Sequence, residues 1–187
     1  MRVEVAQTAG FCFGVDRAVS TVYRLLEEGK KAATLGPIIH NPQVTGDLAA
    51  RGVRVVSRPE ETPPGYTLVI RSHGVPREVE EKARALGLSY VDATCPFVKK
   101  IHNLAERAGE QGQVFLLAGD KNHPEVQGIV GHCKGENFVI KSSEELVELL
   151  KNHPELEKKS LAFAAQTTFH AGEWEKCAET LKKLCTN

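Results

Sequence analysis

Short β-rich apolar runs alternate along the chain with stretches whose apolar positions recur at helical spacing. Residues 3–6, 32–35, 53–56, 67–70, 90–93, 114–118, 138–140 and 161–165 read as strands, several of them too apolar for a sheet wetted on one face. Between them, Val15, Val19, Val22 and Leu26 share one helical face that stops at Gly29, and Val79, Ala83 and Leu86 share another that stops at Gly87. Pro76, Pro96 and Pro124 stand where a helix accepts proline as its first residue, and Ser142 with Glu145 makes a capping-box pattern ahead of Leu146, Leu149 and Leu150. Strand, loop and helix in repeated order predict an α/β fold with right-handed crossovers. The expected architecture is two similar lobes, 1–94 and 95–187, each a mostly parallel sheet flanked by helices. The first lobe includes the N-terminal strand and the Cys12 loop.

Composition narrows the function. With 187 residues and 41% hydrophobic content the chain can bury a core. Lys plus Arg equal Asp plus Glu at 24 each, so the basic footprint of a nucleic-acid or anionic-membrane binder is missing, while a local phosphate site stays open. No stretch approaches a membrane span and the N-terminus has no apolar signal region, which predicts a cytoplasmic protein. Five widely spaced cysteines without a CxxC pair argue against a disulfide framework or a simple zinc knuckle.

The unusual residues fall after the predicted strands, where open α/β sheets bind ligands. Cys12 follows the first strand, His40 the second, His73 the run at 67–70, Cys95 the run at 90–93, His123 and Glu125 the run at 114–118, and Thr167 and Thr168 the last. Any one histidine before a proline can simply cap a helix. Six such junctions together point to one coherent set of groups around one or two sheet edges. A cysteine at a helix N-terminus meets unpaired backbone donors that favour the thiolate metals require, and Phe11 and Phe13 would give Cys12 a dry wall. Three loop histidines suit either a diphosphate or a metal, and spacing alone leaves both open. Trp174, Cys177, Leu181, Leu184 and Cys185 form an apolar helical stripe and read as core. Cys133 reads as packing, and His102, His132 and His153 carry no expected role.

GFCFGVDRA, GPIIHNP, RSHGVP, VDATCPFV, NHPEV and QTT, in this order, resemble the 4-hydroxy-3-methylbut-2-enyl diphosphate reductase family. The resemblance implies an iron–sulfur oxidoreductase of the non-mevalonate isoprenoid route, reducing an allylic alcohol diphosphate to isopentenyl and dimethylallyl diphosphate. By resemblance, Cys12 and Cys95 would ligate a 4Fe–4S cluster and His40, His73 and His123 would face the diphosphate. Glu125 would supply protons, Thr167 would contact the substrate hydroxyl and relay a proton, and Thr168 would also bind the substrate. Ferredoxin or flavodoxin would donate electrons. Members of the family have a third lobe carrying a third cysteine ligand and a Ser-Ser-Asn motif, and neither segment is present in this sequence. The chain therefore reads as the first two of three lobes, truncated before the third ligand. Two other readings compete with the enzyme: a non-catalytic fragment or binding module retaining part of a diphosphate site, and a Cys/His zinc hydrolase with Glu125 as base, which lacks an HExxH-type motif.

Overall fold

The computed structural model describes residues 2–7 and 9–185. By contacts the chain divides into two compact units, Met1–Ser72 with Leu86–Cys95, and His73–Ala85 with Pro96–Asn187. The sequence predicts a single boundary at 94/95. The contacts instead assign His73–Ala85 to the second unit, so the chain passes between units three times.

In the first unit, helix α1 (Phe13–Glu27) precedes strand β1 (Lys31–Leu35), helix α2 (Pro42–Ala50), strand β2 (Arg54–Val56), strand β3 (Tyr66–Ile70) and strand β4 (Tyr90–Asp92). The four strands form one parallel sheet in the order β2-β1-β3-β4. Ala18, Val22 and Leu25 of α1 bury their stripe with Ala32, Leu48, Val69 and Ala93, which is why the helical period of that segment is so regular. The predicted strand at 3–6 does not form: Val3 and Val5 are 73% and 80% exposed, and residues 2–6 are irregular. The two valines meet no sheet edge to pair with among the described residues, and β-propensity alone does not hold a strand.

The second unit contains helix α3 (Arg77–Ala85), helix α4 (Pro96–Glu110), strand β5 (Val114–Ala118), helix α5 (Pro124–Val130), strand β6 (Asn137–Ile140), helix α6 (Ser143–Asn152), strand β7 (Leu161–Ala165) and helix α7 (Ala171–Cys185). Its parallel sheet has the order β6-β5-β7. Every residue of β5 is buried. Phe115 and Leu117 pack on one side with Ala105, Ala108 and Ile129, while Val114, Leu116 and Ala118 pack on the other with Leu146, Leu150 and Cys177. A central parallel strand covered on both faces must be apolar at every position, and each large buried side chain there contributes about 1.5–3 kcal/mol. Pro96 and Pro124 begin α4 and α5 as expected, whereas α3 starts one residue after Pro76. Ser142 caps α6 by accepting from the Glu145 N–H, and Glu145 reaches back to the Lys141 N–H. Cys177 is buried as the stripe predicted, and Trp174 stacks on Phe163 with centroids 4.4 Å apart. No helix of the described residues is long and apolar enough to cross a membrane.

In each sheet the chain reverses its direction of growth beside a central strand, between β1 and β3 and between β5 and β7. Loops leaving the carboxyl ends of such strands diverge and open a place for ligands.

Candidate functional site

In the first unit two thiols converge on the start of α1. Cys12 is its N-cap residue, extended at φ −63° and ψ 157°, and its thiol is exposed without serving as a cap. Cys95 immediately precedes α4, and its backbone N–H donates to Ser72 O at 2.9 Å. A Cβ placed on Gly14 would come within 2.4 Å of Cys95 Sγ, so the missing side chain at Gly14 creates the hollow in which the second thiol sits, in the first turn of the helix whose N-cap residue is Cys12. The loop carrying Cys95 is tied to the same helix by Arg17, whose guanidinium donates to Thr94 O at 2.9 Å and Asp92 O at 3.4 Å. Thr94 is held in turn through its N–H and hydroxyl, both donating to Asp92 Oδ1. Neither thiol is in a disulfide. His40 lies exposed in the loop after β1, just before Asn41, whose side chain caps α2 by accepting from the Val44 N–H.

In the second unit the geometry joins four of the predicted residues. His73 and His123 meet edge to face with ring centroids 5.4 Å apart. His123 caps α5 by accepting the Glu125 N–H on Nδ1 at 3.2 Å. With Nδ1 as acceptor, the neutral ring carries its proton on Nε2, leaving that nitrogen a donor. Glu125 is 2% exposed, and both of its oxygens are engaged by one residue: Thr167 donates its N–H to Oε1 at 2.6 Å and its hydroxyl to Oε2 at 2.8 Å. The pair bridges the loops leaving β5 and β7. The Thr168 hydroxyl instead accepts from Gln166 Nε2 at 2.9 Å. Gln166 also accepts the Asp120 N–H at 3.1 Å, stitching the same two loops together.

Some expectations change. Among the described residues no strand precedes Cys12, so its junction is an irregular segment leading into a helix. Phe11 and Phe13 are exposed and form no dry wall around the thiol. His102 and His132, to which the sequence assigns no role, are buried. Two positioning residues were missed, Arg17 and Gln166. Arg17 lies in the motif GFCFGVDRA on the helix that Cys12 begins, and Gln166 heads QTT, but neither spacing reveals a backbone carbonyl or amide as the partner.

The profile of the LytB protein family matches residues 3–187. The chain belongs to that family. Among its relatives, the 4-hydroxy-3-methylbut-2-enyl diphosphate reductase of Thermoanaerobacter sp. (strain X514) is 42% identical over 97% of this chain and 62% of the relative. The protein of the same name from Aquifex aeolicus is 44% identical over 97% of this chain and 65% of the relative. A solved structure described as (E)-4-hydroxy-3-methyl-but-2-enyl diphosphate reductase, the terminal enzyme of the non-mevalonate pathway, superposes with a TM-score of 0.81 at 40% identity, over 97% of this chain and 64% of that one. That of the corresponding reductase from Plasmodium falciparum gives 0.85 at 28% identity, over 95% and 55%. The chain thus spans less than two thirds of the length of these LytB-family relatives, and both of its parallel α/β sheets belong to their fold.

Proposed function

We propose that this chain supplies the thiol and diphosphate-facing residues of an oxidoreductase that removes the hydroxyl of 4-hydroxy-3-methylbut-2-enyl diphosphate, giving isopentenyl and dimethylallyl diphosphate. The observation that carries this reading is the seat of Cys95 Sγ over Gly14 in the first turn of the helix that Cys12 begins. Two reduced thiols at one helix start suit an iron–sulfur cluster, and they fit as two of its ligands; among the described residues no group of three His, Cys, Asp or Glu is placed to hold a metal ion. When bound, a 4Fe–4S cluster supplies electrons that no ordinary side chain can, and a small electron carrier such as ferredoxin or flavodoxin replenishes them.

The chain's other residues handle charge and protons. His40, His73 and His123 donate to the diphosphate oxygens, with His123 presenting Nε2–H because its Nδ1 is occupied by the helix cap. Replacing an allylic C–OH by C–H consumes two electrons and two protons and releases water. Glu125 in its acid form would hold one of those protons; with the Thr167–Glu125 bond reversed, the Thr167 hydroxyl gives its own proton to the departing oxygen and takes the carboxyl's single proton in its place.

Anaerobic reconstitution with iron and sulfide in a thiol buffer, which can complete a ligand shell, tests the reading. A brown chain whose iron and sulfide are lost in both Cys12→Ser and Cys95→Ser supports it. A colourless chain that binds inorganic pyrophosphate favours the non-catalytic binding module, and stoichiometric zinc favours the hydrolase.

A further inference from the structure

His102 and His132 are 1% and 5% exposed, and their rings stack with centroids 4.2 Å apart and 24° between planes. His132 Nε2 lies 3.1 Å from the carbonyl oxygen of Val75. A carbonyl can only accept, so Nε2 must carry the proton. The charged groups around this ring are Glu80, whose Oε1 is 3.9 Å from Nε2, together with Lys99 and Arg77. Burial lowers the His132 pKa below its ordinary 6.5, opposed by Glu80 and the Val75 carbonyl and reinforced by Lys99 and Arg77. The ring is thus neutral at neutral pH, and its tautomer decides whether the bond exists.

The bond sits in the middle of a wider seat. Residues 73–76 lie along α5 and come closest at its C-cap, where Gly131 lacks the side chain that would collide with Pro76. A Cβ on Gly128 would stand 3.4 Å from both the His73 carbonyl oxygen and His102 Nε2, and one on Gly131 would stand 2.5 Å from Pro76 Cβ. The Arg77 N–H then reaches Gly131 O at 3.4 Å. His73 leaves this seated segment two residues before Val75, while His123 caps the very helix that forms the seat. The spacing of the two imidazoles therefore depends on how residues 73–76 rest on α5.

We propose that His132 is a positioning residue: by donating from Nε2 to Val75 O, backed by the stacked ring of His102, it latches residues 73–76 onto α5 and so sets His73 against His123. The functional consequence rests on the reading of that imidazole pair as diphosphate-facing. Gln is the conservative variant, since its side-chain amide places a donor where Nε2 stands, and Leu removes the donor while keeping bulk.

The test is NMR of the ligand-free chain, with the imidazole signals of His73 and His123 assigned. His132 is expected as the Nε2–H tautomer; His132→Gln should leave the His73 and His123 ring signals in place, and His132→Leu should shift both. A His132 protonated only on Nδ1, or a folded His132→Leu chain with unmoved signals, overturns the proposal. Where His132→Leu fails to fold, the tautomer and the Gln variant decide: shifted signals in His132→Gln also overturn it. Pyrophosphate affinity, read in parallel, should fall about tenfold in His132→Leu and be kept in His132→Gln. A wild-type chain that binds no pyrophosphate removes the diphosphate reading of the pair, while the ring signals still decide the latch.

Discussion

Thr167 holds both carboxylate oxygens of Glu125, one through its backbone N–H and the other through its hydroxyl. The first bond survives any substitution at 167 that keeps the backbone in place, and the second does not. Thr167→Val therefore leaves Glu125 buried with one partner gone, at a cost of about 1–3 kcal/mol, and Thr167→Ser restores it. Urea unfolding measures that loss. Under the proposed function, steady-state kinetics of a complete three-lobed protein loaded with its cluster should show Glu125→Gln keeping substrate affinity and losing turnover, because the amide donates where the carboxylate accepted and has no proton to give. Unchanged turnover in Glu125→Gln would remove it from the proton path.

Gly14 offers a sharper test of the thiol pair. In a helix, Gly→Ala at an open position such as Gly46, where an added Cβ meets nothing within 4 Å, should stabilise by about 0.5–1 kcal/mol. At Gly14 the same methyl collides with Cys95 Sγ, so the thiol must leave its hollow. Gly14→Ala is expected to lower iron uptake and to raise the reaction rate of Cys95 with a thiol reagent, while Gly46→Ala changes neither. Iron assay and mass-spectrometric thiol labelling check both arms.

What the sequence made legible follows from the range of the forces involved. Buried strands such as Val114–Ala118 and stripes such as Val15, Val19, Val22 and Leu26 are visible because burial is a property of position along one element. The residues after the strands could be named for the same reason. The valines at 3 and 5 misled because alternation says nothing about whether an edge exists to pair with. Arg17, Gln166 and His132 were invisible as positioning groups because their partners are backbone atoms of segments far away in the chain: Arg17 binds Thr94 O across 77 residues and His132 binds Val75 O across 57. A carbonyl has no signature in sequence.

The five cysteines should separate by reactivity. Cys12 is exposed, whereas Cys177 is 0% exposed and its thiol is pushed up to about 11, first by burial and then by the nearby Glu173 and Glu144 charges. Alkylation of the native, metal-free chain at mildly alkaline pH is expected to modify Cys12 quickly and Cys177 only after unfolding. Peptide mapping by mass spectrometry reads this directly, and equal rates at the two sites would show that the α7 stripe is not packed as described.

Acid should loosen the junction between α6 and α7 through one carboxylate. Glu173 accepts the Ser143 N–H at 2.6 Å and the Ser143 hydroxyl at 2.8 Å, and these two bonds, the backbone one foremost, hold its pKa down at about 2 against an ordinary 4.5. The folded state favours the charged form, so its stabilising contribution is fully present above pH 4.5 and is lost as pH falls through about 2. Urea midpoints recorded across that window should fall more steeply for the wild-type chain than for Glu173→Gln, which has no proton to take up. Parallel slopes would mean that the carboxylate binds its proton equally well in the folded and unfolded chains, and that the Ser143 bonds add nothing to the docking of α7 on α6.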